Sequence, residues 1–456
     1  MLYQMILFFL GLGMQNNIFI KIIMILYLMI LGIPLKAKDL KSPNFIIVLA
    51  DDLGWSSLSS TMDKKYPNAK SDYHKTPNID HLVESGMRFS NAYSSSPVCS
   101  PSRYSIQFGK SPAKLNITRV LGKNKVDHDQ IAIPQILKSI NPNYVAAHFG
   151  KWHINESPDR YGYDFHDGMT TNKEGGFDQD RRLQWGGYSE NDPKRVYSLT
   201  SRTINFIKDS ISNHKPFYVQ LSHYAVHSNI VYSKSTFKNL ARFDKGTIHK
   251  NHGYAAMISD FDESVGQLLE VYEEMGLADN TYIIFTSDNG GMPVLPMQVN
   301  RGKPYSLGLN SPLLRGKWDL MEGGIRVPFS IVGPDIPIDS QSDIPIIGHD
   351  LLPTIADLVG SMDNLPEDID GGSFKNLLFK KNDVVERSFD GLIFHFPHYN
   401  RVGMNEPHSA IRYKNYKYIY FPASNRELLF DIEKDIGEKN DLSKLNKKLA
   451  KKLRKK

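Results

Sequence analysis

The 456-residue chain is 41% hydrophobic and 23% charged, which excludes a disordered polymer and suffices for a large α/β domain with an appendage, or for two to three ordinary domains. Its formal net charge of +6 is unevenly placed, because residues 444–456 (KLNKKLAKKLRKK) carry eight basic side chains and no acid. Without that tail and the two lysines of residues 1–37, the body carries about −4, a poor surface for nucleic acid, and no nucleic-acid partner is expected. The tail itself reads as the solvated end of a helix.

The first element is a leader. MQNNIFIKIIMILYLMILGIPLKA has a polar start with Lys21, an apolar run from Ile22 to Leu35 and a small residue, Ala37, at a cleavage point. The run is short for a membrane span and contains Gly32 and Pro34, so residues 1–37 read as a signal peptide and no stable span is expected. Export to the periplasm, cell surface or medium follows. Cys99, the sole cysteine, is then conspicuous, since exported proteins usually pair their cysteines.

Four short apolar runs come next in chain order: Phe45–Ala50, Tyr144–Phe149, Phe217–Leu221 and Tyr282–Thr286. Near-continuous apolarity suits strands of a parallel sheet covered on both faces. Helical patterns alternate with them: TPNIDHLVESG with Thr76 as its cap, SDFDESVGQLLEVYEEMG, and HDLLPTIADLVG. The alternation predicts a large, mostly parallel α/β sheet flanked by helices over residues 38–375. Beyond that, AIRYKNYKYIYF and ELLFDIEKDIGE alternate apolar and polar residues. They predict a smaller α+β subdomain, residues 376–456, on an antiparallel sheet with a terminal basic helix.

Each run ends on polar residues. FIIVLA leads into Asp51-Asp52, YVAAHF into Gly150-Lys151-Trp152-His153, FYVQL into SHYAVH ending at His227, and YIIFT into Ser287-Asp288-Asn289. Ligands of open parallel sheets bind outside the carboxyl ends of the strands, so four strands aim these groups at one edge. Asp51, Asp52, Asp288 and Asn289 form an oxygen-only set suited to a hard divalent cation, calcium or magnesium rather than zinc. Arg103, Lys151, Lys317, His153 and His227 supply the cationic side of a pocket for a tetrahedral oxyanion.

At this point a resemblance enters. Cys99-Ser100-Pro101-Ser102-Arg103 resembles the C-x-P-S-R signature of the type I, formylglycine-dependent sulfatases, and GKWH resembles their second signature. NFIIVLADDLGW, TPNIDHL, YAVHS, TSDNGG, LLRGKWDLMEGGIRVP and DLLPTIADLVG follow in the family's order, so the likeness covers about residues 43–442. It implies the alkaline phosphatase-like fold, and oxidation of Cys99 by a formylglycine-generating maturation enzyme. The hydrated aldehyde is then the nucleophile. One hydroxyl attacks sulfur and releases the alcohol; the other loses its proton, and collapse of the hemiacetal expels sulfate. By matched position, Asp51, Asp52, Asp288, Asn289 and the matured Cys99 hold the cation. Arg103 and Lys151 steady the nucleophile, His153 is the base for collapse, His227 the acid for the leaving alcohol, and Lys317 the grip on sulfate. His223 reads as a structural or rim residue.

Gln107 and Phe108 depart from the family pattern after Arg103, and RGK is one glycine short of its commoner form. The expected substrate is a sulfated carbohydrate, because FHFPHYN near His398 resembles rim segments of glycan-directed members; ulvan is one such polysaccharide. Two other readings remain: a phosphate or phosphonate ester hydrolase of the same superfamily, and a catalytically silent glycan-binding protein.

Overall fold

The computed structural model describes residues 42–120, 126–177, 188–293, 308–381, 384–400 and 403–456. The leader therefore lies outside the described residues. Among them, no helix is long and apolar enough to cross a membrane.

All four predicted strands form, each within a residue or two of its expected bounds. Asn44–Ala50 lies at the centre of an eight-stranded sheet, fully buried along its length. It pairs in parallel with Phe217–Ser222 on one side and Thr281–Ser287 on the other. Val145–Gly150 adds in parallel beyond Phe217–Ser222. The run of Val, Ile, Leu and Phe makes both faces of this strand apolar. Ile46 and Val48 face one hydrophobic cluster, while Phe45, Ile47 and Leu49 face a second on the opposite side. Phe329–Val332 runs antiparallel to Thr281–Ser287 and carries the sheet on to Met87–Phe89.

Helices cover both faces, as the alternation predicts, with one correction. Pro77–Glu84 is a helix, but Thr76 makes no side-chain cap; its hydroxyl donates to Asp80 instead. The free N–H groups of Asn78 and Ile79 donate to the carboxylate of Asp262, on the helix His252–Glu274. A partner distant in sequence does the capping. That longer helix also begins seven residues before the predicted stretch, where Asn251 accepts from the Tyr254 N–H at 2.8 Å.

The chain then builds an antiparallel sheet from Leu392–Phe396, His408–Tyr413, Tyr416–Phe421 and Arg426–Asp431, in that order. Its inner face, including Phe394, Ala410, Ile419 and Phe430, packs on Tyr93, Leu320 and Ile325. Its outer face, Ile411, Tyr418 and Leu429, is covered by Ala450 and Leu453 of the terminal helix Lys447–Lys455. The two-residue period of a strand divides these contacts between two clusters.

Candidate active site

Because Thr281–Ser287, Asn44–Ala50, Phe217–Ser222 and Val145–Gly150 are adjacent and parallel, their carboxyl ends open on one edge. The edge receives Asp288, Asp51, the SHYAVH turn and Lys151. Asp51 and Asp52 are buried, and Asp52 adopts the left-handed backbone region (φ 62°), as does His153 (φ 60°). Non-glycine residues seldom sit there, and such local strain concentrates at functional sites.

Each carboxylate has one cation. Lys151 Nζ lies 2.6 Å from Asp51 Oδ2, Lys317 Nζ 2.7 Å from Asp52 Oδ2, and Arg103 Nε donates to Asp288 Oδ2 at 2.8 Å. Oxygens of Asp51, Asp52 and Asp288 all lie within 4.8 Å of one another. Asn289 joins them by donating from Nδ2 to Asp52 Oδ1 at 2.8 Å. Two buried oxygens of this group, Asp51 Oδ1 and Asn289 Oδ1, accept no hydrogen bond. A buried acceptor without a donor is costly, and a hard cation is the partner that an all-oxygen set selects. Burial, reinforced by Asp51, pushes the Asp288 carboxyl upward, a repulsion that a cation would relieve. The residues thus fit a divalent ion. The close-set carboxylate group does not include the Cys99 sulfur, expected as a ligand only after its oxidation.

Cys99 is the first residue of the helix Cys99–Phe108 and is buried. Burial raises its thiol pKa, and Lys151 and Lys317 pull the other way. Arg103, one turn on, is fixed by Asp288 and by the Lys151 carbonyl. Serine 100 ties the same helix to the GKWH turn, its hydroxyl donating to the His153 carbonyl at 2.8 Å. His153 Nδ1 has no partner, and burial beside Lys151 and Arg103 holds its pKa well below the ordinary range. His227 donates from Nδ1 to the Ser228 carbonyl at 2.7 Å, which leaves Nε2 unprotonated in the neutral ring, 3.7 Å from Asp52. Burial, with Lys317, Lys151 and Lys194, keeps its pKa low. Lys317 stays charged: burial opposes its proton, but Asp52 more than compensates.

The structure brings every predicted site residue to this edge. His223 is not on a rim, however; it is wholly buried against Phe261, its ring nitrogens unpartnered. Three residues were missed. Asn172 donates toward His227 Nε2 at 3.4 Å, and Phe177 packs edge-on to the same ring. Lys194, buried, donates to the Gly175 carbonyl and has its pKa brought down to about 7 by burial. Each lies in a stretch with no periodicity and no recognisable motif, so only tertiary contact identifies it. Asn310 was also invisible: it donates to the carbonyls of Gly291 and Arg315, joining the TSDNGG turn to the loop that carries Lys317.

The open α/β sheet with a metal-suited, cation-lined edge places the molecule in the alkaline phosphatase-like class of hydrolytic enzymes. The family described as Sulfatase matches residues 43–361, and one described as N-sulphoglucosamine sulphohydrolase, C-terminal, matches residues 316–456. The chain belongs to the sulfatase family and is an enzyme of that family. It is 29% identical to human N-acetylgalactosamine-6-sulfatase over 63% of its own length and 56% of that protein's. It is 26% identical to an ulvan-active sulfatase of Formosa agariphila, over 90% of this chain and 81% of the relative. Among solved structures, Ps i-CgsB in complex with k-i-k-neocarrahexaose superposes with a TM-score of 0.71 at 26% identity, covering 90% of this chain and 91% of that one.

Proposed function

We propose that the protein is an exported sulfuric ester hydrolase that removes sulfate from a sulfated carbohydrate, with Cys99 matured to formylglycine and calcium at the carboxylate edge. The observation that carries this is the set of three buried carboxylate–cation pairs around two unpartnered oxygens, beside the one cysteine. Three acids matched by three bases leave little net charge. A bound divalent cation would therefore make the pocket positive and receptive to a sulfate ester.

The chain's own residues have distinct tasks in this reading. Arg103 orients the matured residue 99 one helical turn before it. Lys151 bridges Asp51 and the nucleophile, and Lys317 holds sulfate from the Asp52 side. His153, with a free Nδ1 in a dry setting, takes the proton that frees the product. His227, its ring turned by the Nδ1 hydrogen bond to the Ser228 carbonyl, has Nε2 free to take up a proton when the anionic ester binds and to deliver it to the leaving alcohol. A neutral imidazole suits the base, and a bound anionic ester offsets the neighbouring lysines that keep the acid unprotonated.

A sulfated glycan is favoured because two relatives that match about nine-tenths of the chain are described as ulvan-active and as bound to k-i-k-neocarrahexaose. Beyond Leu392–Phe396, Gly403 packs on the carbonyl of Trp318, next to Lys317, and His398 Nε2 meets the Thr118 hydroxyl at 2.9 Å. Domain limits of 38–375 and 376–456 and a signal peptide over 1–37 belong to the same proposal. The test is a peptide mass spectrum across residue 99, on protein produced with a formylglycine-generating partner, followed by sulfate release from sulfated glycans. An aldehyde with release is expected. An unmodified thiol, while a control sulfatase is converted in the same cells, would leave a glycan-binding protein; hydrolysis of phosphate or phosphonate esters alone would favour the other hydrolase.

A further inference from the structure

The terminal helix is more than a solvated end. Its residues divide sharply: Ala450 and Leu453 are buried on the antiparallel sheet, and every basic side chain from Lys444 to Lys456 is exposed. Lys448, Lys451, Lys452 and Lys455 cover the face opposite the buried pair, spaced as a helix requires. Three of the eight charges lean on the protein. Lys452 lies over Tyr413, Arg454 over Tyr420, and Lys456 over both Tyr413 and Phe389. Among the described residues, no ion pair involves Lys444, Lys447, Lys448, Lys451 or Lys455. Like charges this close repel one another, so an outside anion would be favoured at this face.

The surface is also shaped. Lys447, Lys451, Arg454 and Lys455, with Glu427 as the one acid, line an open concavity of about 470 Å³ between the helix and the last strand. It lies on the outer face of the antiparallel sheet, whereas the Trp318 side of the pocket meets the inner face, so the two are separate places.

We propose that this concavity and the exposed helix face form a docking surface for a polyanionic polysaccharide chain, distinct from the catalytic pocket. The substrate class rests on the sulfatase reading above; the surface itself does not. Charge complementarity selects the occupant. A sulfated glycan carries anions at repeated intervals, and the helix offers about 12 Å of uncompensated cations to them, at 1.5 Å per residue from Lys447 to Lys455. An anionic bilayer fits less well, because the helix has already spent its apolar face on the sheet and only Leu445 stands exposed beside it. Docking there would raise the local concentration of a long substrate without touching the chemistry.

The experiment uses the full chain and the triple variant Lys447→Gln/Lys451→Gln/Lys455→Gln, which keeps good helix formers at all three positions. Binding of dextran sulfate is measured across a salt series, beside uncharged dextran, phosphatidylglycerol vesicles and turnover of a small aryl sulfate. The expected result is at least about five-fold weaker dextran sulfate binding by the variant, with a shallower salt dependence, unchanged thermal unfolding and unchanged turnover of the small ester. Equal binding by both proteins overturns the proposal. So does vesicle binding that depends on the three lysines while polymer binding does not. The binding readout needs no catalysis: an inactive chain that still loses polymer binding supports the surface and sinks only the hydrolase reading, and an active chain without that loss sinks only the surface.

Discussion

Gln107 shows how a residue that breaks a family pattern is accommodated. It lies on the helix that begins at Cys99, wholly inside the protein, where an apolar side chain is the usual choice. Its Nε2 donates to Gln220 Oε1 at 2.7 Å, and its Oε1 accepts from Tyr163 at 2.9 Å. Gln220, in the Phe217–Ser222 strand, passes the network to Ser222. The polar residue is thus paid for by a second one 113 positions away. Gln107→Leu should cost about 1–3 kcal/mol, because it strands the Tyr163 hydroxyl and removes one of the donors to Gln220 Oε1. Chemical denaturation measures it, and adding Tyr163→Phe, which removes the stranded hydroxyl, should recover part of the loss. A variant as stable as the parent would show that the network contributes nothing. The same helix carries Cys99 and Arg103, so the network also bears on how firmly those two residues are held.

Among the elements, the helix Pro77–Glu84 depends on a carboxylate from another helix. Asp262 accepts the Ile79 N–H at 2.8 Å, and Asp262→Ala should destabilise the protein by about 1–3 kcal/mol by removing a buried acceptor. Burial raises the Asp262 carboxyl to about 7, against the N–H groups that would lower it. The folded state therefore binds this proton more tightly than the unfolded state does. Its stabilising contribution is complete below the unfolded carboxylate value and is lost as pH rises through about 7. Asp262→Asn keeps an acceptor but does not titrate, so its unfolding free energy should fall less than the parent's between pH 5 and 8. Parallel curves for the two proteins would refute the assignment. A second element rests on Lys417, buried in the Tyr416–Phe421 strand between Glu322 at 3.1 Å and Glu438 at 2.8 Å. This lysine joins the antiparallel sheet to the segment that follows Lys317. Lys417→Met leaves two facing buried carboxylates and should cost about 3–5 kcal/mol in equilibrium unfolding.

For the whole molecule, the proposed cation at the carboxylate edge would link stability to the ion. If calcium binds the folded state alone, a concentration about 100 times its dissociation constant adds about 2.7 kcal/mol, a Tm rise of about 3 °C for a chain of this size. Chelation should reverse the rise, and Asp51→Asn should abolish it; an unchanged Tm on adding calcium or magnesium would remove the cation from the proposal. The central strands were legible in the sequence because burial on both faces demands unbroken apolar runs, and a run that stops at Asp-Asp or Ser-Asp-Asn announces a strand end. The residues gathered at the candidate site were legible because each follows such an end or belongs to a short motif. The sequence determined which groups could meet. Tertiary structure alone decided how they are paired: Lys151 with Asp51, Lys317 with Asp52, Arg103 with Asp288. It alone recruited Asn172, Lys194 and Asn310, and moved the cap of Pro77–Glu84 from Thr76 to Asp262. Those choices depend on which strands lie side by side and how far a side chain reaches across them, distances that exist only once the sheet has formed.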